Sequence, residues 1–134
     1  MRKFAAAGLC LLLGCSDNAF QREATYEGRP TSEWVQLAAD DDVERRRNAV
    51  AVLGELGLTE ADQSVPALAK AVGDADPYVR LLALKSLEKL APKAKKAEGP
   101  VGRALSDKNK VIVKQALQTL KAINAAQPSA LHDR

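Results

Sequence analysis

The sequence predicts an all-α fold, an α-solenoid of about three helical hairpins, and three observations support this. Residues 74–90 are echoed upstream by residues 40–56 and downstream by residues 107–123, which gives a period of 33 to 34 residues. Within each copy apolar residues recur with helical spacing, and the 46% hydrophobic content is dominated by Ala, Leu and Val. A repeat of this length is typical of hairpins that bury their apolar faces by stacking on one another.

Length and charge limit the classes of function. The chain of 134 residues has room for one modest domain, and its formal net charge is +3. Arg2 and Lys3 precede the first acidic residue, so a chain beginning at Cys15 would carry only +1. Such a small charge offers no electrostatic footprint for nucleic acid, and we expect no nucleic-acid partner.

The first residues have the composition of an export signal. Arg2 and Lys3 provide a positive start, and residues 4–14 form an apolar run. As a helix this run would rise only about 16 Å, roughly half of the hydrocarbon thickness of a bilayer, so it is too short for a permanent span. The sequence predicts that residues 1–14 are a signal peptide that is removed.

The run ends in Leu12, Leu13, Gly14 and Cys15, which resembles the lipobox of bacterial lipoproteins. The resemblance implies that the Cys15 thiol receives a diacylglycerol, that the signal is cut before Cys15, and that acyl chains such as palmitate hold the chain on a membrane of the cell envelope. Several acyl chains at one terminus make a stable anchor. By the same resemblance, Ser16 favours the outer membrane, facing the periplasm. The alternative is an ordinary signal peptide with an incidental Cys.

Three segments are predicted after the signal. Residues 15–27 are polar without apolar periodicity, which is typical of a flexible tether. Residues 28–124 form the repeat domain, and residues 125–134 are predicted to be a disordered tail that could alternatively cap the last helix pair. Cys10 leaves with the signal, so no thiol pair remains for a disulfide.

The domain is predicted to open with a short helix. Thr31 or Ser32 can cap it, and Glu33 places negative charge in its first turn, where the helix dipole favours an acid. Trp34, the only Trp, is interpreted as a cover over the end of the core, with a partner-binding aromatic as the alternative.

Each unit is predicted to contain a short first helix, an acidic turn and a longer second helix. In the middle unit the helices are predicted at residues 65–72 and 77–90, with Asp76 as the N-cap and Pro77 in the first helical position. Pro66 and Pro100 mark the opening turns of first helices.

The caps and cores of the other units follow from the same alignment. Asp41 with Glu44 is a possible capping box in the first unit, and Asn109 takes the capping place in the third. The apolar stripes of the three second helices are predicted to be buried, and they comprise Ala49, Leu53 and Leu56; Val79, Leu82, Ala83, Leu87 and Leu90; and Ile112, Ala116, Leu120 and Ile123.

The pattern Val-Pro-Ala-Leu followed by Asp-x-Asp-Pro-x-Val-Arg-x-x-Ala-x-x-x-Leu resembles the HEAT repeat, in particular its short PBS-lyase-like form, over about residues 31–124. In that family a turn Asp and an Arg six residues later form a ladder along the stack. The resemblance implies this structural role for Asp40 with Arg46 and for Asp74 with Arg80. The third unit has Val113 at the Arg place, so the ladder is expected to end there.

The resemblance also implies that the second helices supply a protein-binding face. On an ideal helix the direction opposite the buried stripe of the middle unit passes through Leu81, Lys85 and Glu88. With the equivalent places in the other units, the candidate partner-binding face is Arg47, Leu81, Lys85, Lys114, Gln118 and Lys121. The face is mildly basic with an apolar spot, which suits a protein or peptide, including an acidic one. The four Arg residues near the turns, Arg45, Arg46, Arg47 and Arg80, are interpreted as ladder or solvated residues, with an anion or phosphate site as the alternative because Arg pairs well with carboxylate and phosphate.

No constellation for catalysis is evident. The only His, His132, lies near the end of the chain, and no zinc spacing or phosphate-cradling loop is present. Asp40, Asp41 and Asp42 lack the spaced ligands of a calcium loop and are interpreted as capping and turn residues. We expect no enzyme activity, no cofactor, no metal and no small-molecule substrate.

The sequence therefore predicts a membrane-anchored, non-catalytic HEAT-repeat lipoprotein that acts as a protein-binding scaffold or adaptor in the bacterial cell envelope. Two alternatives remain open at this point. One is a PBS-lyase-like enzyme or accessory subunit, and the other is a purely structural envelope protein without a specific partner.

Overall fold

The computed structural model describes residues 22–128. The predicted signal, Cys15, most of the predicted tether and the last six residues of the predicted tail lie outside this range. A short antiparallel hairpin, β1 (Thr25–Tyr26) and β2 (Arg29–Pro30), comes first. Six α-helices follow in the described range: α1 (Thr31–Leu37), α2 (Val43–Leu56), α3 (Ala61–Ala71), α4 (Pro77–Lys89), α5 (Glu98–Arg103) and α6 (Lys110–Ala125).

The helices form three stacked pairs. The second helices α2, α4 and α6 lie side by side, with α4 between the other two. The first helices α1, α3 and α5 form the other layer, and short 3₁₀ turns at Ala91–Lys93, Lys95–Ala97 and Ala104–Ser106 complete the connections around α5. This arrangement confirms the predicted all-α solenoid.

The core lies between the two layers and continues through all three units. Every residue of the three predicted apolar stripes is buried except Leu82 and Leu120, which are half-buried. The stripe prediction missed Val50 and Leu84, which are fully buried. These two residues face the next second helix, a contact that one helix's periodicity does not reveal.

The predicted N-caps of the second and third units are confirmed, and that of the first unit shifts by one residue. Asp76 accepts a hydrogen bond from the Val79 amide at 2.9 Å, and Asn109 accepts one from the Val111 amide at 2.9 Å. In the first unit the cap is Asp42, which accepts from the Arg45 amide at 2.8 Å, so the predicted box of Asp41 with Glu44 is wrong. The Asp40 carboxylate accepts from the Asp42 amide and tightens the turn, which delays the helix start.

The start of the folded unit also differs from the prediction. Glu23, inside the predicted tether, accepts hydrogen bonds from the Ser32 amide at 3.1 Å and the Ser32 hydroxyl at 2.7 Å. Thr31 donates from its amide and its hydroxyl to the Ala24 carbonyl. Neither Thr31 nor Ser32 is therefore the cap of α1, because a carboxylate from the preceding segment takes that role. The folded unit includes the hairpin and begins before Gly28.

The first helix of the middle unit begins earlier than predicted. α3 starts at Ala61, so Pro66 lies at its sixth position and not in its opening turn. Pro66 has no N–H to donate to the carbonyl of Asp62, but both residues are exposed, so water can hydrate that carbonyl.

Candidate protein-binding face

A ladder of Arg and Asp side chains connects consecutive units. Arg46 donates to the Asp74 carboxylate of the next unit from Nε at 2.9 Å and from Nη2 at 3.2 Å. Arg80 repeats this arrangement with Asp107, at 2.8 and 3.3 Å. These side chains are between 11% and 19% exposed, so both ion pairs are largely shielded from water. Such bidentate pairs fix the relative position of neighbouring turns.

Each ladder Arg also binds the turn of its own unit, but through backbone carbonyls and not through a carboxylate. The Nη1 atom of Arg46 donates to the carbonyl oxygens of Asp40 and Asp41, both at 3.0 Å. Asp40 therefore contributes its backbone to the ladder, while its carboxylate accepts from the Asp42 amide and from Arg45. The ladder has two carboxylate rungs in the described range, and Val113 occupies the place of the next Arg.

Arg47 takes part in a second connection between the first two units. Its Nε and Nη2 atoms donate to the Asp76 carboxylate at 3.0 and 2.9 Å, and its Nη1 atom donates to Glu44 at 2.7 Å. The guanidinium lies 5.2 Å from the ring centroid of Tyr78, a cation–π distance. Arg47 was predicted to lie on the partner-binding face, and the structure places it at the margin of that face with its donors already engaged.

These contacts change the protonation equilibria of the turn residues. Hydrogen bonds from the Arg47 guanidinium lower the pKa of Asp76, and the Val79 amide adds to this effect. The Asn109 amide, followed by Arg80, lowers the pKa of Asp107. The Asp42 amide is the main cause that lowers the pKa of Asp40. The Asp76 carboxylate raises the pKa of Arg47, and the Asp74 carboxylate raises that of Arg46. The carboxylates of Asp40, Asp76 and Asp107 therefore remain ionised at neutral pH.

The outward side of the second helices presents the other predicted face residues. Lys85 of α4 is exposed and Leu81 is half-buried beside it. On α6 the side chains of Lys114, Gln118 and Lys121 are exposed. The structure thus brings five of the six predicted residues to one side of the stack as accessible groups, with Arg47 at the edge.

The face also contains two exposed apolar residues that the sequence analysis missed. Tyr78 and Val111 are 51% and 60% exposed, and they occupy equivalent places in the first turns of α4 and α6. Comparison of the units could have found them, because an apolar residue at an outward position recurs one period later. With Leu81 they form an apolar strip bordered by Lys85 and Lys114.

Two structural findings bear on metal binding and on crossing a membrane. Within residues 22–128, no group of three or more His, Cys, Asp or Glu side chains is arranged to hold a metal ion. Over the same residues, none of the helices combines the length and apolar character that crossing a membrane requires.

The stack of hairpins and its shielded ladder define an α-solenoid with an exposed outward face. The family model for HEAT repeats matches residues 31–98, just over half of the chain. The chain therefore belongs to the HEAT-repeat family, whose members commonly mediate protein interactions. No curated protein matches the sequence.

Proposed function

We propose that this protein is a non-catalytic scaffold or adaptor, anchored in the bacterial cell envelope by lipid on Cys15, that binds a protein or peptide on the outward face of α4 and α6. The observation that carries the binding part of the proposal is the strip of exposed Tyr78 and Val111 with half-buried Leu81, which has Lys85 and Lys114 beside it. Apolar anchors bordered by cations suit an acidic peptide with one or two large apolar side chains.

The ladder supports binding by keeping this face in one shape. Arg46, Arg47 and Arg80 join the turns of successive units through six hydrogen bonds to carboxylates. Five of these bonds have donor–acceptor distances between 2.8 and 3.2 Å, and the sixth is 3.3 Å. A face that is already in its binding shape loses little conformational entropy when a partner docks.

The membrane part of the proposal rests on the sequence of the first residues. A positive start, an apolar run and Leu-Leu-Gly-Cys15 occur in the order of a lipoprotein signal. Metabolic labelling with an alkyne analogue of palmitate tests it directly. The full chain and a Cys10→Ser control should both take up label and sediment with membranes, and Cys15→Ser should lose both properties. Label that remains on Cys15→Ser would refute lipid attachment at this residue.

The binding face is tested by charge reversal at positions that make no contribution to the ladder. In the full chain, Lys85→Glu combined with Lys114→Glu should abolish crosslinking to the cellular partner, detected by mass spectrometry of crosslinked complexes. The matched control combines Lys70→Glu with Arg103→Glu, which reverses two exposed cations in the layer of first helices. If the Lys85/Lys114 double variant keeps the crosslinked partner and the Lys70/Arg103 double variant loses it, the binding site lies on the layer of first helices and the proposal is wrong.

A further inference from the structure

The outer side of α6, at the C-terminal end of the stack, carries a residue that is buried everywhere else in the repeat. Val50, Leu84 and Leu117 occupy equivalent places in the three second helices. Val50 and Leu84 are 0% exposed because α4 and α6 cover them, whereas Leu117 is 45% exposed. The same side contains the half-buried Val113 and Leu120.

The two internal junctions show how a helix docks on this side. Ser86 of α4 donates its hydroxyl to the Val50 carbonyl at 3.4 Å, and Thr119 of α6 donates to the Leu84 carbonyl at 3.0 Å. At both internal junctions the next second helix therefore packs at the same place: the Val50 and Leu84 carbonyls accept from it, and Gly54 and Glu88, the equivalents of Lys121, lie against Ser86 and Gln115. The same side of α6 contains Val113, Leu117, Leu120 and Asn124, whose spacing of four, three and four residues is that of a helix–helix seam, with Lys121 beside Leu117.

Charge determines which kind of helix can complete the seam. α6 contains Lys110, Lys114 and Lys121 and no Asp or Glu. On an ideal helix these three side chains lie within about 60° of Leu117, on one border of the seam. All three are exposed. A second copy of α6 would add its own Lys residues to this border, and like charges disfavour such a pair.

A further unit of the same repeat type is also a poor match. Its turn Asp would need a ladder Arg, as Asp74 has Arg46 and Asp107 has Arg80, but position 113 holds Val. The partner that fits has apolar side chains opposite the seam and carboxylates opposite the Lys border.

We propose that the outer side of α6 binds an amphipathic helix of another protein, whose apolar seam is flanked by Asp or Glu. This surface shares Lys114 and Lys121 with the candidate protein-binding face, whereas Leu117 belongs to it alone. Leu117→Asp therefore tests this proposal without altering the other face, and Lys85→Glu alters only the other face.

The test uses the full chain in nanodiscs of zwitterionic phosphatidylcholine and two fluorescent synthetic helices. Both helices have the same Leu seam, flanked by Glu in one and by Lys in the other, and binding is measured by anisotropy against empty nanodiscs. We expect the Glu-flanked helix to bind at least about tenfold more tightly. Leu117→Asp should weaken that binding by about tenfold or more, because a desolvated carboxylate replaces an apolar contact.

Controls separate this surface from others. Lys121→Glu should reduce the preference for the Glu-flanked helix, because it lowers the charge of the border from three positive groups to a net of one, while Lys85→Glu and Lys70→Glu should change the affinity by less than about twofold. The melting temperature of Leu117→Asp should match the wild type, which shows that lost binding is not lost folding. Equal affinities for the two helices, or unchanged binding by Leu117→Asp, would overturn the proposal.

Two further outcomes would assign the surface to another occupant and equally overturn it. One is a gain of about tenfold or more in binding when the chain is shortened to end at Pro128, which would mean that residues 129–134 cover the seam. The other is a dimer in sedimentation equilibrium that Leu117→Asp dissociates.

Discussion

The two ends of the stack are built differently. At the N-terminal end Trp34 is 3% exposed, its Nε1 donates to the Tyr26 carbonyl at 3.2 Å, and the Tyr26 ring meets it edge to face at 6.1 Å. Arg29 lies 5.7 Å from the Trp34 ring centroid. At the C-terminal end Leu117 remains 45% exposed. A stack of repeats has two apolar ends. Here a segment outside the repeat pattern seals one of them, while no residue in the range 22–128 covers Leu117 at the other.

The largest expected effect is the difference in stability loss when an apolar residue is truncated at one end or at the other. Trp34→Ala should lower the free energy of unfolding by about 3–5 kcal/mol, because it opens a cavity and unpairs the hairpin. Leu117→Ala should change it by less than about 0.5 kcal/mol, as expected for a side chain at an open surface. Urea unfolding followed by circular dichroism measures both. Comparable losses would mean that the C-terminal end is covered.

The internal junctions should tolerate less bulk than either end. A Cβ on Gly54 of α2 would lie 2.5 Å from the Ser86 hydroxyl oxygen and 2.9 Å from its Cβ. Gly54→Ala should therefore cost about 1–3 kcal/mol in urea unfolding, despite the better helix propensity of Ala. Gly102→Ala is the matched control, since nothing lies within 4 Å of the added atom. A neutral Gly54→Ala would show that α2 and α4 are further apart.

The ladder should stabilise the C-terminal unit in particular. Arg80→Met keeps the apolar stem and leaves the Asp107 carboxylate without its partner, so it should destabilise the protein less than Trp34→Ala and more than Leu117→Ala. Hydrogen exchange should accelerate most in α6. Arg45→Met removes an Arg whose side chain is 66% exposed, and it should have little effect. Equal effects of the two substitutions would argue against a structural ladder.

The smallest predicted effect is a dependence of the protein's stability on pH. Asp76 and Asp107 have lowered pKa values in the folded protein, so they add stability above the ordinary carboxyl pKa of about 3.9, and this is lost as the pH falls through their folded pKa values. The melting temperature should be flat from about pH 7 to 5 and fall below about pH 4. The curve of Asp107→Asn should be flatter than that of the wild type, and parallel curves would contradict this.

The sequence predicted features that repeat and missed features that depend on contact between units. Helical period and turn chemistry located the second helices, the caps Asp76 and Asn109, and nearly all of the apolar stripes. The burial of Leu84 depends on the neighbouring helix. The Arg46 carboxylate partner is Asp74, which is 28 residues away, and no spacing within one unit indicates it.

The N-terminal seal was missed for a related reason. Residues 22–27 are polar and lack periodicity, so they resemble a tether when they are considered alone. Their place is determined by side chains elsewhere, such as Glu60, which accepts a hydrogen bond from the Ala24 amide at 3.0 Å. For the candidate face, the repeat alignment located Lys85 and Lys114, but it did not show that Asp76 holds Arg47.

The most direct test of the contrast between a sealed junction and an open end is methyl NMR of the full chain with a soluble paramagnetic agent. If α6 is the last element of the stack and its outer side is open, the Leu117 methyl signals should broaden strongly while those of Leu84 stay sharp. Equal protection of Leu117 and Leu84 would contradict this account.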